Sequence, residues 1–399
     1  MRSQVIRPPG RQSRPSHLVR LPLRALAPAG KATGRLLLNW GVLIAVIVGV
    51  LAFRERTEAE ARAPLPAPSA HLSVAQARQW RHFPRYHGVV PVLLYHGINN
   101  SNANYSVTPH LFADQMRALK IAGFHAITLA QYVDYVRGSR NSLPSRPVLL
   151  TFDDGRRDAF RYANNTLRDY GFHATMFTFA SWPTTNPGFS LTWPELRSMQ
   201  QSGIWSIQEH GGEGHEYVFY NAADAKGGIY AFRRYIPASS GRGGRLEDFT
   251  TFVHTSTSDI TWGAHQFVQE IPGYRPLAFA VPYANYGQET TNDERIPRFM
   301  LPWLKRHFAV VFGGDYLSGG HGHPYQISGR FSPEYSYRIT MDQKMSPSAL
   351  YCRLNDWVTR KPTWMEYRCL RPPESPADLQ SRPARTATAR GAAPPSPAP

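Results

Sequence analysis

The chain has 399 residues, 42% of them hydrophobic, enough for one large domain or two ordinary ones with a sizeable core. A formal charge of +17 would suit a nucleic-acid partner, but its distribution excludes one: residues 1–40 carry seven Arg and one Lys with no acid. The tail from Arg371 adds four Arg against two acids, which leaves +7 and no dense basic run for the residues between.

In chain order, the first feature is the apolar run Leu36 to Phe53 (LLLNWGVLIAVIVGVLAF), 18 residues long and interrupted only by Asn39 and two Gly. That is near the lower limit for a helix spanning a bilayer. The basic flank before it predicts a cytoplasmic N-terminus, with everything beyond about residue 54 outside the cell. Residues 1–35 therefore read as a basic cytoplasmic segment and 36–53 as an uncleaved, single-pass membrane anchor. Ala61-Arg62-Ala63 resembles a signal-peptidase site, but the leader is long and charges separate the apolar run from it. Residues 54–88 form a linker and lead-in, with Ala61 to Ala70 (ARAPLPAPSA) an extended spacer. Residues 371–399 repeat that composition and are expected to be disordered. No repeat or second linker intervenes, so 89–370 reads as one domain.

Within it, short apolar runs alternate with helical patterns. Val89 to Tyr95 is a buried-strand candidate, and Leu111 to Ala122 places Phe112, Met116 and Leu119 at helical spacing before Gly123. A strand at His125 to Leu129, a helix around Tyr132 and the strongest strand, Pro147 to Phe152, come next. A helix over Ala159 to Tyr170, a strand over Ala174 to Ala180, a helix over Trp193 to Ser202 and a strand over Ile204 to Gln208 continue the alternation. This pattern predicts βα units with parallel strands, hence an α/β sheet or barrel. Glu216 to Arg275, rich in Gly and aromatics, reads as an elaborated loop region before strands resume at Leu277 to Pro282 and Phe308 to Phe312. Cys352 and Cys369 could bridge in an oxidising compartment; neither has a partner at metal spacing.

Asp153 and Asp154 follow directly on the strongest strand and precede Gly155. The C-terminal ends of parallel strands converge on the site, so carboxylates there face a substrate. The plainer reading is that one of them caps the helix beginning near Arg157. Downstream, a strand ends in His210-Gly211-Gly212-Glu213-Gly214-His215. A separation of five puts two side chains on one face of neither a helix nor a strand, but the three glycines would let the backbone fold until both imidazoles converge. Two His and a carboxylate match a metal site with positions left for water and substrate. Two unrelated loop histidines are the plain alternative.

Thr151-Phe152-Asp153-Asp154-Gly155 resembles the first motif of the polysaccharide deacetylases (carbohydrate esterase family 4, the NodB-homology domain). Leu93-Leu94-Tyr95-His96-Gly97-Ile98 is similar to that family's opening strand, and Phe279-Ala280-Val281-Pro282-Tyr283-Ala284 to its third motif. His210 and His215 resemble the second motif in the longer form found in poly-N-acetylglucosamine deacetylases. The resemblance implies a distorted (β/α) barrel and metal-dependent hydrolysis of N-acetyl groups from an extracellular N-acetylglucosamine-containing polysaccharide, releasing acetate. It implies Asp153 as general base and Asp154, His210 and His215 as ligands of a divalent metal, zinc by default, with cobalt or nickel also fitting. The metal would polarise the acetamide carbonyl and acidify water; a backbone N–H at Tyr283 would meet the oxyanion. His96, Pro282 and Trp262 are the candidate substrate contacts, Trp262 by stacking on a sugar. Partners implied are the polysaccharide, the membrane through the N-terminal helix, and a polysaccharide synthase or export machinery.

Three departures from the family stand out. Its third motif often carries an Arg that pairs with the base, where this chain has Ala280 or a neighbour. A catalytic His near the last strand is missing from Arg338 to Asp342, although His321 and His323 on a Gly-rich loop could replace it. Glu216 to Arg275 is also longer than the pattern requires. The rival readings are a non-catalytic carbohydrate-binding or assembly protein that kept the fold, and a two-His-one-carboxylate iron oxygenase. The βα alternation disfavours the latter.

Overall fold

The computed structural model describes residues 44, 46–52, 55–56, 62–86, 89–101, 105–139, 143–239, 243–314 and 336–359. The chain divides into two units, Met1–Ala61 and Arg62–Pro399. Most of the expected anchor lies outside the described residues; of it, 44 and 46–52 are helical and exposed. No helix among the described residues is long and apolar enough to cross a membrane. Cys369, His321, His323 and the tail from 371 also fall outside them.

The second unit begins with residues expected as lead-in. There a capping box between Ser73 and Gln76 opens α1 (Val74–Arg81), which buries Trp80. β1 (Val92–Tyr95) starts later than the apolar run suggests, because Pro91 offers no N–H to a ladder. The two-residue strands β2 (Gly97–Ile98) and β3 (Ser106–Val107) pair with each other. Thr108 caps α2 (Pro109–Ile121), which has Pro in its first turn. β4 (His125–Ala126) leads to α3 (Leu129–Val136), opened by a Thr128–Gln131 capping box. β5 (Pro147–Phe152) and α4 (Arg157–Tyr170) follow, the helix stopped by Gly171 in the left-handed conformation. β6 (Ala174–Thr178), the short α5 (Trp182–Thr185), α6 (Trp193–Gln201) and β7 (Trp205–Glu209) complete the expected alternation.

The reading of Glu216 to Arg275 as loop is corrected. It holds two antiparallel pairs, β8 (Tyr217–Phe219) with β9 (Lys226–Gly228) and β10 (Tyr235–Pro237) with β11 (Gly244–Leu246). A 22-residue helix, α7 (Phe249–Glu270), follows. Its buried positions are Phe252, Ser256, Ile260, Gly263 and Phe267, so the helical spacing is present but Ser and Gly interrupt the apolar stripe. β12 (Ala278–Ala280), α8 (Arg295–His307), β13 (Val310–Phe312), β14 (Ile339–Thr340) and α9 (Pro347–Thr359) end the described chain, with Cys352 buried in α9.

The central sheet runs β13-β12-β7-β6-β5-β1-β14, with β4 also on β5, and every pairing is parallel. Its two edges meet on one short segment. Ser336 bridges to Phe312 in β13, and three residues later Ile339, with Thr340, pairs with β1. This closure makes the sheet a distorted barrel, as the motif order implies. Side chains alternate across it. Leu149, Phe177, Ala280 and Phe312 share one cluster, while Val148, Leu150, Phe152 and Met176 pack in another with α2 and α4. Phe279 and Val311 pack with Phe252 and Ile260 of α7 and with α8.

Candidate active site

That alternation aims the chemistry. Asp153 keeps the parity of Leu149, and its N–H donates to the Tyr95 carbonyl (2.9 Å), so its carboxylate enters the barrel mouth. Asp154 would point outward but has φ +70°, which turns it back. Gly155 follows at φ +58°, and any side chain there would collide with Thr178. Neither aspartate caps α4. Its N-cap is Arg156, without a side-chain cap, and Asp158 accepts from the Ala159 N–H instead (2.7 Å).

The arginine missing from the third motif is supplied from elsewhere in the chain. Arg338 lies on the closing segment between Ser336 and Ile339. Its Nη1 and Nη2 each donate to one Asp153 oxygen at 2.7 Å, and its Nε donates to the Gly313 carbonyl at 2.6 Å. The guanidinium sits 5.6 Å from the Phe177 ring and 5.8 Å from the Phe312 ring. Arg338 and Asp153 side chains are 1% and 3% exposed. Burial alone would push the Asp153 carboxyl up; the Arg338 guanidinium, with help from His210, holds it below the ordinary carboxylate range.

His210 has the inward parity of Gln208, which lies opposite inward-facing Phe177. Its Nδ1 donates to the Ala280 carbonyl at 2.7 Å, which leaves Nε2 as the bare nitrogen. Nε2 is 3.7 Å from both Asp153 Oδ2 and Asp154 Oδ1. The Tyr283 hydroxyl donates to the His215 carbonyl at 2.7 Å and lies 3.1 Å from His215 Nδ1. Its single proton is thus committed, so His215 Nδ1 is the donor of that second contact and Nε2 is again bare. Burial lowers the pKa of both imidazoles, against the upward pull of the carboxylates, and both stay neutral. The donor set suits a divalent ion in type and protonation, and the Ala280 and Tyr283 contacts orient it from behind. Among the described residues, no three His, Cys, Asp or Glu side chains converge tightly enough to hold an ion as they stand.

The loop between the histidines is fastened on both sides. The carbonyls of Gly211 and Gly212 accept from the N–H groups of Ala180 and Ser181 (3.0 and 3.1 Å). From α7, Asp259 accepts from the N–H of Gly212 (3.0 Å) and of Glu213 (2.8 Å), and from the Tyr230 hydroxyl. A side chain at position 212 would strike Asp259 and Trp262 within 2.8 Å, so only glycine admits this approach. Glu209, next to His210, has the opposite parity and lies beneath α7. Burial raises its carboxyl well above the ordinary range, so it is a neutral acid outside the site.

The other expected site residues are placed as follows. His96, at the end of β1, is buried close enough to Asp153 and His215 to act on both electrostatically. Tyr283 (φ +56°) has its ring 4.7 Å from that of His215, and Pro282 precedes it, buried. Trp262 lies behind the site over Gly212 and is 42% exposed. Sequence reasoning missed Arg338, Asp259 and Tyr230; Trp182, which the sequence offers as a sugar-stacking ring or a core residue, has its ring 5.5 Å from that of His215. A lone arginine ahead of a two-residue strand leaves no periodic signal.

Residues 140–295 match the family model for polysaccharide deacetylase; this stretch carries Asp153, Asp154, His210, His215 and Tyr283 but neither His96 nor Arg338. YxkH of Bacillus subtilis (strain 168), which carries a provisional polysaccharide deacetylase name, is 31% identical over 122 residues, covering 30% of this chain and 42% of its own. The poly-β-1,6-N-acetyl-D-glucosamine N-deacetylase of Escherichia coli (strain K12) is 22% identical over 193 residues, covering 44% of this chain and 28% of its own. The chain thus spans less than half the length of these relatives. A solved structure of a de-N-acetylase from Aggregatibacter actinomycetemcomitans shares the fold, with a TM-score of 0.51 at 20% identity over 65% of this chain and 98% of that one. The segment 140–295 thus matches a polysaccharide deacetylase domain, and the structure gathers its motif residues at one barrel mouth.

Proposed function

We propose that this chain hydrolyses N-acetyl groups from an extracellular N-acetylglucosamine-containing polysaccharide and releases acetate. The observation that carries the reading is the ionised Asp153 carboxylate, locked by Arg338 and 3.7 Å from the bare Nε2 of His210. Asp154, His210 and His215 would hold a divalent ion, zinc first and cobalt or nickel next, which polarises the acetamide carbonyl and acidifies water. Asp153 takes the proton of the attacking water; Arg338 keeps it ionised and fixes its orientation. The backbone N–H of Tyr283 would meet the developing oxyanion, and His96 and Pro282 would contact the sugar, whereas Trp262, behind the site over Gly212, would not. β-1,6-linked N-acetylglucosamine polymers are the first candidate, since the relative from Escherichia coli is named for them. The basic leader and apolar run at 36–53 support a single-pass anchor, with this unit outside and synthase or export machinery nearby.

The test is acetate release from such a polymer before and after chelation, with zinc, cobalt or nickel restored. Activity that disappears and returns with the metal, and is absent in Asp153→Asn, is expected. A metal-loaded protein that releases no acetate from this polymer, chitin oligomers or peptidoglycan refutes the activity. Release that survives complete metal removal refutes the cofactor.

A further inference from the structure

The aromatic side chains next to His215 extend from it in two directions. On one side lie Trp182, 5.5 Å from the His215 ring, and Phe189, 5.7 Å beyond and 38% exposed. On the other lie Tyr283 and then Tyr217, each step 4.7 Å between ring centres. β8 turns Val218 inward and Tyr217 and Phe219 outward, 56% and 45% exposed. Two residues apart on one strand face, these rings are about 7 Å apart along the strand. They are also held in place: β8 is paired with β9, Lys226 covers the Phe219 ring at 4.9 Å, and Gly228 lets the Tyr283 ring lie directly on β9.

Phe189 at one end of this line, and Tyr217 and Phe219 at the other, leave ring surface in water, which is unfavourable unless something covers it. This line passes through His215 beside the catalytic residues, and a cation, Arg156 on Phe189 and Lys226 on Phe219, lies over one face of each end ring. Pyranose rings, with C–H faces and hydroxyl rims, match such a surface, whereas a broad protein partner would find it narrow. We propose that the two arms form one track for consecutive units of a linear, uncharged glycan. The unit that reacts lies at His215, with its neighbours over Tyr217 and Phe219 on one side and over Trp182 and Phe189 on the other. The inference rests on the deacetylase reading of the site and adds that chain length is read there.

The test uses the full chain with β-1,6-linked N-acetylglucosamine oligomers of two and six units, measuring affinity by calorimetry alongside acetate release. The wild type should bind the hexamer about tenfold or more tighter than the dimer. Phe219→Ala and Phe189→Ala should each weaken hexamer affinity roughly 5–20-fold, and the dimer less, with the kinetic loss carried by KM. Phe219→Tyr keeps a ring and should keep the affinity, which separates loss of stacking from loss of fold. Equal affinity for both lengths in the wild type, or hexamer affinity unchanged in both alanine variants, overturns the track. Ring- and length-dependent binding without acetate release would leave the track standing and overturn the deacetylase reading. Acetate release indifferent to both rings would do the reverse.

Discussion

Arg338→Met removes the guanidinium and, in the metal-free protein, leaves the Asp153 carboxylate buried with a neutral imidazole beside it in place of a cation. The pair makes two charge-assisted bonds of 2.7 Å with both side chains at most 3% exposed. Breaking such a pair from one side costs about 3–5 kcal/mol, and at roughly 2–4 °C per kcal/mol the unfolding midpoint should drop by on the order of 10 °C. The sign of the pH dependence supplies a sharper test. In the wild type Asp153 sits below its unfolded pKa. Its contribution to stability is therefore full above the ordinary carboxylate range and is lost as pH falls through the depressed value. In the variant, burial, the largest influence on this carboxyl, outweighs what His210 and His96 still oppose to it and raises the carboxyl, so the folded state binds the proton more tightly than the unfolded chain. Stability should then increase as pH falls from neutral towards the carboxylate range, a slope opposite to that of the wild type. The same protonation removes the base, so the acidic limb of the pH–rate profile moves towards neutral and turnover at pH 7 drops by about 10² or more. Arg338→Met/Asp153→Asn, with no buried charge left, should recover most of the lost stability but no activity. Thermal melts across pH 4–8 and acetate release across the same range decide the matter. A variant whose acidic limb and stability slope match the wild type would refute the assignment of Arg338 as the group that keeps Asp153 ionised.

Other expectations follow from the same geometry. Asp153→Asn should keep the metal and lose on the order of 10²–10⁴ in rate, whereas Asp154→Asn should lose metal affinity and regain part of its activity with excess metal. Titration of both variants with zinc reverses the roles if Asp153→Asn is the one that fails to bind. Asp259→Asn keeps a single oxygen acceptor for two backbone N–H groups and the Tyr230 hydroxyl, so the His210–His215 loop should loosen and metal affinity fall about 10–100-fold. An unchanged zinc affinity at an unchanged melting temperature would show that the α7 clamp does not position the histidines. Membrane retention after a high-salt wash is expected if 36–53 is an anchor. A soluble secreted form beginning near Pro64 would identify that run as a cleaved signal.

The alternation of apolar runs with helical segments between 89 and 209 was legible because each βα unit carries its own local signals. Pro147–Phe152 is a continuous apolar run, Thr128 and Thr192 open helices through capping boxes, and Gly171 ends one. The Asp153-Asp154 pair and the spaced histidines were legible for a similar reason, since Asp153, Asp154 and His210 follow on strand ends and His215 comes five residues after His210 across three glycines. The α7 helix was hidden because Ser256 and Gly263 fill buried positions where an apolar side chain would have marked the stripe. Gly263 must be small, because a side chain there would strike the Glu209 carboxyl. What no local pattern could provide was the partner of the base. Arg338 is 185 residues from Asp153, and only closure of the barrel by the segment between β13 and β1 brings the two together. Sequence determines which residues stand at strand ends and which parity they have. The tertiary fold decides which distant charge is buried against them, because burial, not proximity along the chain, makes an unpaired carboxylate too costly to leave alone.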